Sequence, residues 1–401
     1  MRTAVTVVRI IVGLLFIVSG LVKANDPLGL SYKMEEFFEI WNTGLTTSNF
    51  FLKSFFINLF NFLHGHTLAL SVFMIALEVM AGVALLIGWE RKLVLNLLLV
   101  LILFFTFLTG YAYFSGTFKN CGCFGDCLPI TPLTSFLKDI LLLALILFLL
   151  FGKKYIVPFF TTKLQALVLL AFLIFSTGFQ WYVLNYKPVV DCLPFKKGNN
   201  IAEQMKIPAN AVADSFAIRF IYEKDGKQFE FSPGNLPDDL DAYKFIDRKD
   251  KLVRKGNAEP AIKGFSLIGS SDFDSTGLIL NHPGYSILYF IHYNNDKETN
   301  VDVKSLVETS GKKNIPVYAI TMNATTLSEF FNRVQVKIPI MKIDLTAFRT
   351  AARTNPSIYL LNKGAVAEKW SGKEISKALK TINNIAVQKV PETEPVIDST
   401  Q

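Results

Sequence analysis

Five apolar runs, each long enough to cross a bilayer, occupy the first half of the chain and constrain its fold more than any other feature. They cover residues 5–22, 67–87, 93–113, 136–151 and 164–184. In hydrocarbon no water satisfies the backbone, so a crossing segment must be a helix or part of a closed barrel. Runs of this length, rich in Leu, Phe, Ile and Val, predict membrane helices. The first run could pass for a cleaved leader, but no small-x-small site follows it before Lys23-Ala24-Asn25-Asp26-Pro27. It is therefore expected to be a retained first helix.

At 401 residues the chain exceeds one ordinary domain. Beyond about Tyr186 charges recur every few residues, the texture of a water-soluble domain. The net charge is +8, yet no run of Lys and Arg exceeds two. That scatter argues against a nucleic-acid partner and suits mild attraction to anionic lipid. The bilayer is the first expected partner.

Lys and Arg near the ends of the runs set an orientation. With the N-terminus inside, Arg2, Arg9, Arg91, Lys92, Lys153, Lys154 and Lys163 face the cytoplasm. Lys23, Lys33, Lys53, Lys119 and Lys138 face the other side, seven against five. Five spans then leave the C-terminal part outside, in the periplasm if the membrane is a bacterial inner membrane. Residues 32–63 mix acids with aromatics, and Lys53, Asn58 and Asn61 interrupt the stretch 48–63. It is read as interfacial or re-entrant and is left out of the span count; if it crosses, every later assignment flips.

Three of the four cysteines lie in N-C-G-C-F-G-D-C, as Cys121, Cys123 and Cys127, between two apolar runs. Gly122 and Gly125 let this loop turn tightly. Cys192 follows the last run closely, so all four cysteines are expected on one non-cytoplasmic face, where disulfides persist. The set can act as a thiol relay, as two static bridges, or as a soft metal site. A Cys121–Cys123 bridge would enclose one residue and be strained, and a Cys123–Cys127 bridge would be more relaxed. Asp126 beside them can accept a proton or cap the turn. His64 and His66 fall on one predicted face; an interfacial role is the plainer reading.

Glu78 lies mid-span in A-L-E-V-M-A-G. An acid at that depth suggests a proton path or a quinone contact; the structural alternative is a carboxyl that is protonated or paired with Arg91.

After the last run, residues 187–212 read as a linker rich in Pro, Gly and polar residues, with Cys192 inside it. Residues 213–385 read as an α/β domain. Strands are expected at 216–222 and 228–231 around a turn at 223–227, then at 286–292, 316–321, 357–361 and 365–370. Helices are expected at 303–313, 326–334 and 373–383. The tail, 386–401, is expected to be disordered. No phosphate loop, Ser-His-Asp order or metal-spaced acid pair is visible, and His282 and His292 stand alone.

Two resemblances rest on these residues. R-I-I-V-G-L-L-F-I-V-S-G-L-V-K and A-L-E-V-M-A-G-V-A-L-L-I-G resemble the DoxX family of small membrane proteins, and N-C-G-C-F-G-D-C resembles its methylamine-utilisation MauE branch. This resemblance implies a four-helix core related in outline to thiol–quinone oxidoreductases, with quinone as the expected cofactor; the extra span and the large C-terminal domain depart from it. The order S-I-L-Y-F-I-H, helix, P-V-Y-A-I-T, then N-P-S-I-Y-L-L-N-K-G is similar to the thioredoxin fold. It implies a cis bond at Pro356 and a Cys-x-x-Cys after residue 292, where this chain has Y-N-N-D-K and no thiol for exchange.

The expectation is thus an α-helical membrane bundle, residues 1–186, fused to a thioredoxin-like domain without its cysteine pair. As an enzyme it would pass electrons between periplasmic thiols and a membrane quinone, with Cys121, Cys123, Cys127, Cys192 and Asp126 at the reacting site and Glu78 toward the quinone. The alternative is a non-enzymatic scaffold whose soluble domain binds an envelope partner.

Overall fold

The computed structural model describes residues 1–48, 50–116, 127, 130–212, 215–254, 256, 258–293 and 303–388. Cys121, Cys123 and Asp126 lie outside the described residues, as does the tail from 389 onward.

Among the described residues, five helices are long and apolar enough to cross a membrane. They are α1 (Arg2–Ala24), α4 (Thr67–Ile87), α5 (Arg91–Ser115), α6 (Pro132–Phe151) and α7 (Thr162–Tyr186). The chain is a multi-pass membrane protein. Helices α2 (Pro27–Thr46) and α3 (Lys53–His64) lie between the first two spans. At 12 residues, α3 is about 18 Å long, too short for a hydrocarbon core of about 30 Å. Asp26 caps α2 through the Gly29 amide at 3.0 Å, and Pro27 occupies the first turn, where no amide is needed.

Apolar residues surround the spans, so small and polar residues decide which face turns inward. In α1 the buried stripe is Val5, Arg9, Val12, Gly13, Phe16, Ser19, Gly20 and Lys23, at helical spacing, while Ile10, Ile11, Leu14 and Val18 point outward. Glycines bring α1 against α4. A Cβ on Gly82 would stand 2.8 Å from the Gly13 carbonyl oxygen, closer than carbon and oxygen can approach. At one end of the bundle, Arg9 donates to the carbonyls of Leu85 (2.8 Å), Leu86 (2.5 Å) and Val157 (3.0 Å). The Leu86 carbonyl lies in the last turn of α4, where carbonyls lack a helical partner.

The C-terminal part is an α/β region with two sheets. Strands β1 (Ser215–Lys224), β2 (Lys227–Phe231) and β3 (Lys244–Arg254) form the smaller, in the order β2-β1-β3. The β1–β2 turn is Asp225-Gly226, both at positive φ (52° and 74°), the geometry that two-residue hairpins favour. The larger sheet has the order β6-β5-β4-β7-β8. Its strands are β4 (Tyr285–Phe290), β5 (Val317–Thr321), β6 (Ile340–Lys342), β7 (Ser357–Asn362) and β8 (Ala365–Ser371). β4, β5 and β6 run parallel, and β7 and β8 add antiparallel. The Asn355–Pro356 bond is cis.

Alternation along β4 divides the core in two. Leu288 and Phe290 pack on one face with Phe195, Phe265 and Tyr359; Ile287 and Tyr289 pack on the other with Leu306, Ile358 and Ile382. The second layer carries α10 (Val303–Gly311), α11 (Ala324–Arg333) and α13 (Ile375–Asn383); α8 (Ile201–Gln204), α9 (Thr276–Leu280) and α12 (Leu345–Ala351) complete the region. Residues 187–212, read from sequence as a linker, supply Phe195 and Ile201 to the first core, and Asn200 bridges to Ala365. Their apolar side chains lacked a periodic context, so burial was not visible in the chain alone. The strands β3 and β6 and the helix α12 were not anticipated either.

Candidate functional site

Cys127 and Cys192 are joined by a disulfide with Cα atoms 4.8 Å apart, an ordinary separation. It ties the segment before α6 to the segment after α7, at the end of the bundle that carries the α/β domain. Asn25, just past α1, locks the same spot. Its Nδ2 donates to the Val190 carbonyl at 2.8 Å, and its Oδ1 accepts from the Val190 amide at 3.0 Å. The same Nδ2 stands 3.9 Å from Cys127 Sγ.

Around this bridge the α/β domain is seated on the bundle. Arg353 Nε donates to Asp26 Oδ2 at 2.8 Å, and Arg349 Nη2 lies 2.6 Å from Glu35 Oε2. The Tyr32 ring sits beneath both guanidiniums, 4.6 Å from Arg349 and 5.6 Å from Arg353. Burial pushes the Tyr32 phenol above its ordinary value, partly opposed by the two arginines. Lys187 Nζ donates to the Lys369 carbonyl at 2.8 Å, and Lys373 bonds Asn185. Lys369 Nζ lies 2.5 Å from Asp191 Oδ2, beside Cys192. Burial alone would lower the Lys369 ammonium; Tyr359 and Asp191 together outweigh it and hold it above the usual lysine value.

Two residues before Asn25, inside the bundle, Lys23 Nζ donates to Glu78 Oε2 at 2.6 Å, and each side chain is 4% exposed. The ammonium also lies 4.5 Å over the Phe105 ring. Nearby, Asp139, 1% exposed, accepts from Thr109 Oγ1 at 3.0 Å and pairs with Lys138. A cleft of about 20 Å³ joins the two pairs, lined also by Leu15, Phe16, Ser19, Ile102, Phe105 and Leu142. That is room for about one water. A space of that size does not admit a quinone ring.

Of the residues singled out from sequence, Cys127 and Cys192 come together and Glu78 is buried as read. Its proposed partner Arg91 is corrected. Arg91 donates to the Ile156 carbonyl at 3.0 Å, at the opposite end of α4. Glu78 stands about 14 Å of helix rise before the end of α4, and Lys23 reaches it from α1 instead. Lys23 and Lys138 had been counted only as orientation charges, and Asp139 was passed over; an acid inside the apolar run 136–151 was the available signal. His64 faces Glu39 at 3.3 Å and His66 the Phe62 carbonyl at 2.8 Å. In the α/β domain, Asn355 clamps the end of β4, accepting from the His292 amide at 2.9 Å and donating to the His292 carbonyl at 2.6 Å. Residues 294–302, where the thioredoxin resemblance calls for Cys-x-x-Cys, lie outside the described residues and contain no cysteine.

Comparison with known proteins bears on two stretches of the membrane and soluble parts. Residues 1–152 match the family described as Methylamine utilisation protein MauE. Residues 216–255, the small sheet, match a domain of unknown function, DUF8463. A segment of 81 residues is 32% identical to Protein TlpB of Flavobacterium psychrophilum, which is 20% of this chain. The chain spans only 22% of the length of that relative. No solved structure matches.

Proposed function

We propose that this chain is a membrane thiol–disulfide redox protein. Electrons from thiols on the face carrying the α/β domain enter at the cysteine loop, Cys121, Cys123 and Cys127, exchange with Cys192, and leave to a membrane quinone. One observation carries the reading: the Cys127–Cys192 bridge sits at the junction of bundle and soluble domain, beside Asn25, two residues along the chain from a buried Lys23–Glu78 pair. The match of residues 1–152 to MauE supports a membrane part of that kind. Asp126 would take or give the thiol proton. A quinone-class carrier, when bound, accepts two electrons and two protons; it would present a carbonyl at the mouth near Lys23 and Lys138. On this reading the membrane is a bacterial inner membrane, the N-terminus is cytoplasmic, and the α/β domain is periplasmic. The order β6-β5-β4-β7-β8 supports taking that domain as thioredoxin-like, and with no cysteine in residues 213–385 it would act as a docking module for the thiol partner.

Differential alkylation with mass spectrometry of cells grown normally tests the proposal. The expected result is a mixture of oxidised and reduced Cys127–Cys192 that moves toward the dithiol when a dithiol reductant is supplied. Four cysteines that never change state would sink it.

A second reading is a non-enzymatic scaffold with structural bridges. The clamp formed by Arg349, Arg353, Asp26 and Glu35 favours it, because a permanently seated domain needs no chemistry. Cys121→Ser with Cys123→Ser separates the two: lost function at normal protein level supports redox transfer, and unchanged function supports the scaffold.

A further inference from the structure

Within the bundle, the described residues place four ionisable groups around one small cleft. Lys23 comes from α1, Glu78 from α4, and Lys138 and Asp139 from α6. From α5, Thr109 and the Phe105 ring face them. The acids of α2 and its N-cap are turned elsewhere, Asp26 to Arg353, Glu35 to Arg349, Glu36 to Lys33 and Glu39 to His64, and α7 offers the neutral Gln180, which bonds Val72 and Ser176. Lys23, Glu78 and Asp139 are buried and Lys138 half-buried, and such a group is costly to maintain in a bundle that could hold Leu at the same places. The ammonium of Lys23 finds one acceptor among the described residues, Glu78, and an aromatic face. An ammonium carries three donors. The cleft beside it has room for about one water, the minimum needed to pass a proton between the pairs. Two residues along the chain from Lys23, Asn25 Nδ2 faces Cys127 Sγ.

We infer that the Lys23–Glu78 and Lys138–Asp139 pairs form a proton-exchange site that serves the Cys127–Cys192 couple. The inference rests on the redox reading above and deepens it. Oxidation of the dithiol forms the S–S bond, breaks two S–H bonds, and releases two electrons and two protons. The electrons go to a two-electron acceptor of the quinone class, which also takes up two protons. The buried pairs hold each proton in transit: a carboxylate accepts it, its lysine partner stays charged, and the water links one pair to the other. Reduction of the couple leaves a proton on the Glu78 carboxyl, oxidation passes it on toward the acceptor, and a full cycle returns each pair to its starting state. Lys23 and Glu78 are positioned for this because they share a hydrogen bond and Lys23 lies two residues along the chain from Asn25, which faces Cys127. Asp139 and Lys138 lie toward the partly exposed mouth.

Infrared difference spectroscopy of the full-length protein in nanodiscs tests the idea without an acceptor. Spectra are recorded with Cys127–Cys192 poised oxidised and then reduced by a dithiol, in H₂O and D₂O. The expected result is a protonated-carboxyl band that changes with redox state, shifts in D₂O, and is lost in Glu78→Gln. A wild-type difference spectrum without any such band overturns the proton role, whatever the variant does. A band that persists unchanged in Glu78→Gln and disappears in Asp139→Asn overturns the assignment to Glu78. If the disulfide cannot be reduced by the dithiol in the folded protein, the redox reading itself falls; if it reduces without a carboxyl signal, only the present inference falls.

Discussion

Arg353, just past the last turn of α12, donates to Asp26, the N-cap of α2, at 2.8 Å across 327 positions of the chain. Asp26 thereby serves two structures. One oxygen holds the first turn of α2, and the other holds the soluble domain. Arg349 repeats the device one turn away on Glu35.

This clamp makes the seating of the domain testable. Arg353→Ala leaves Asp26 partly buried without its cation, and breaking such a pair costs about 3–5 kcal/mol. We expect faster proteolysis and faster hydrogen exchange in residues 187–192 and in α2, with the bundle core unchanged. Asp26→Asn is expected to act in the same direction and more weakly, since it keeps the cap. Unaltered exchange at both places would show that other contacts seat the domain.

Removing Cys192 should be felt as lost cross-linking. The bridge closes a separation of 65 residues, for which chain entropy gives roughly 4 kcal/mol. Cys192→Ser is expected to lower the thermal midpoint in detergent and to leave Cys127 open to alkylation. A midpoint that does not move would mean that Asn25 and Lys369 already hold the segment.

Packing of α1 on α4 gives a further expectation. A Cβ on Gly82 meets the backbone oxygen of Gly13 at 2.8 Å, and backbone cannot swing aside as a side chain can. Gly82→Ala should destabilise the bundle by about 1–3 kcal/mol, read as a lower denaturation midpoint in nanodiscs. Gly178→Ala, where a Cβ meets nothing within 4 Å, is the matched control and should be silent.

Lys369 supplies a pH dependence. Its value in the folded protein is raised above that of the unfolded chain. Its contribution is therefore complete below the unfolded lysine value, about 10.4, and is lost as pH rises through the folded one. Hydrogen exchange around Asp191 and β8 should be insensitive to ionisation from neutral pH up to about 10 once intrinsic rates are allowed for. Above that it should rise, and Lys369→Met should abolish the transition. A loosening that begins near neutral pH would point to a different group.

Much of this architecture was open to reading from residues alone. The runs 67–87 and 93–113 coincide with α4 and α5 within a few residues because transfer into a bilayer depends on local composition. The strand at 357–361 and the hairpin at Asp225-Gly226 were legible for a similar reason: alternation and turn chemistry act over a few neighbours. Glu78 was visible as an acid in an apolar run. Its partner was misassigned because nearness in sequence was taken for nearness in space, whereas Arg91 lies beyond the far end of α4. Phe195 and Ile201 looked like linker residues because nothing beside them repeats with a period.

What the chain alone determined is therefore what neighbouring residues decide together: five apolar helices, a soluble α/β part, and four cysteines placed near their ends. The tertiary structure decided which distant groups meet. Lys23 with Glu78, Cys127 with Cys192, and Arg353 with Asp26 are separated by 55, 65 and 327 positions. Such pairings depend on how whole helices pack and rotate against one another, through contacts such as Gly13 on Gly82, and no local pattern of residues encodes that rotation.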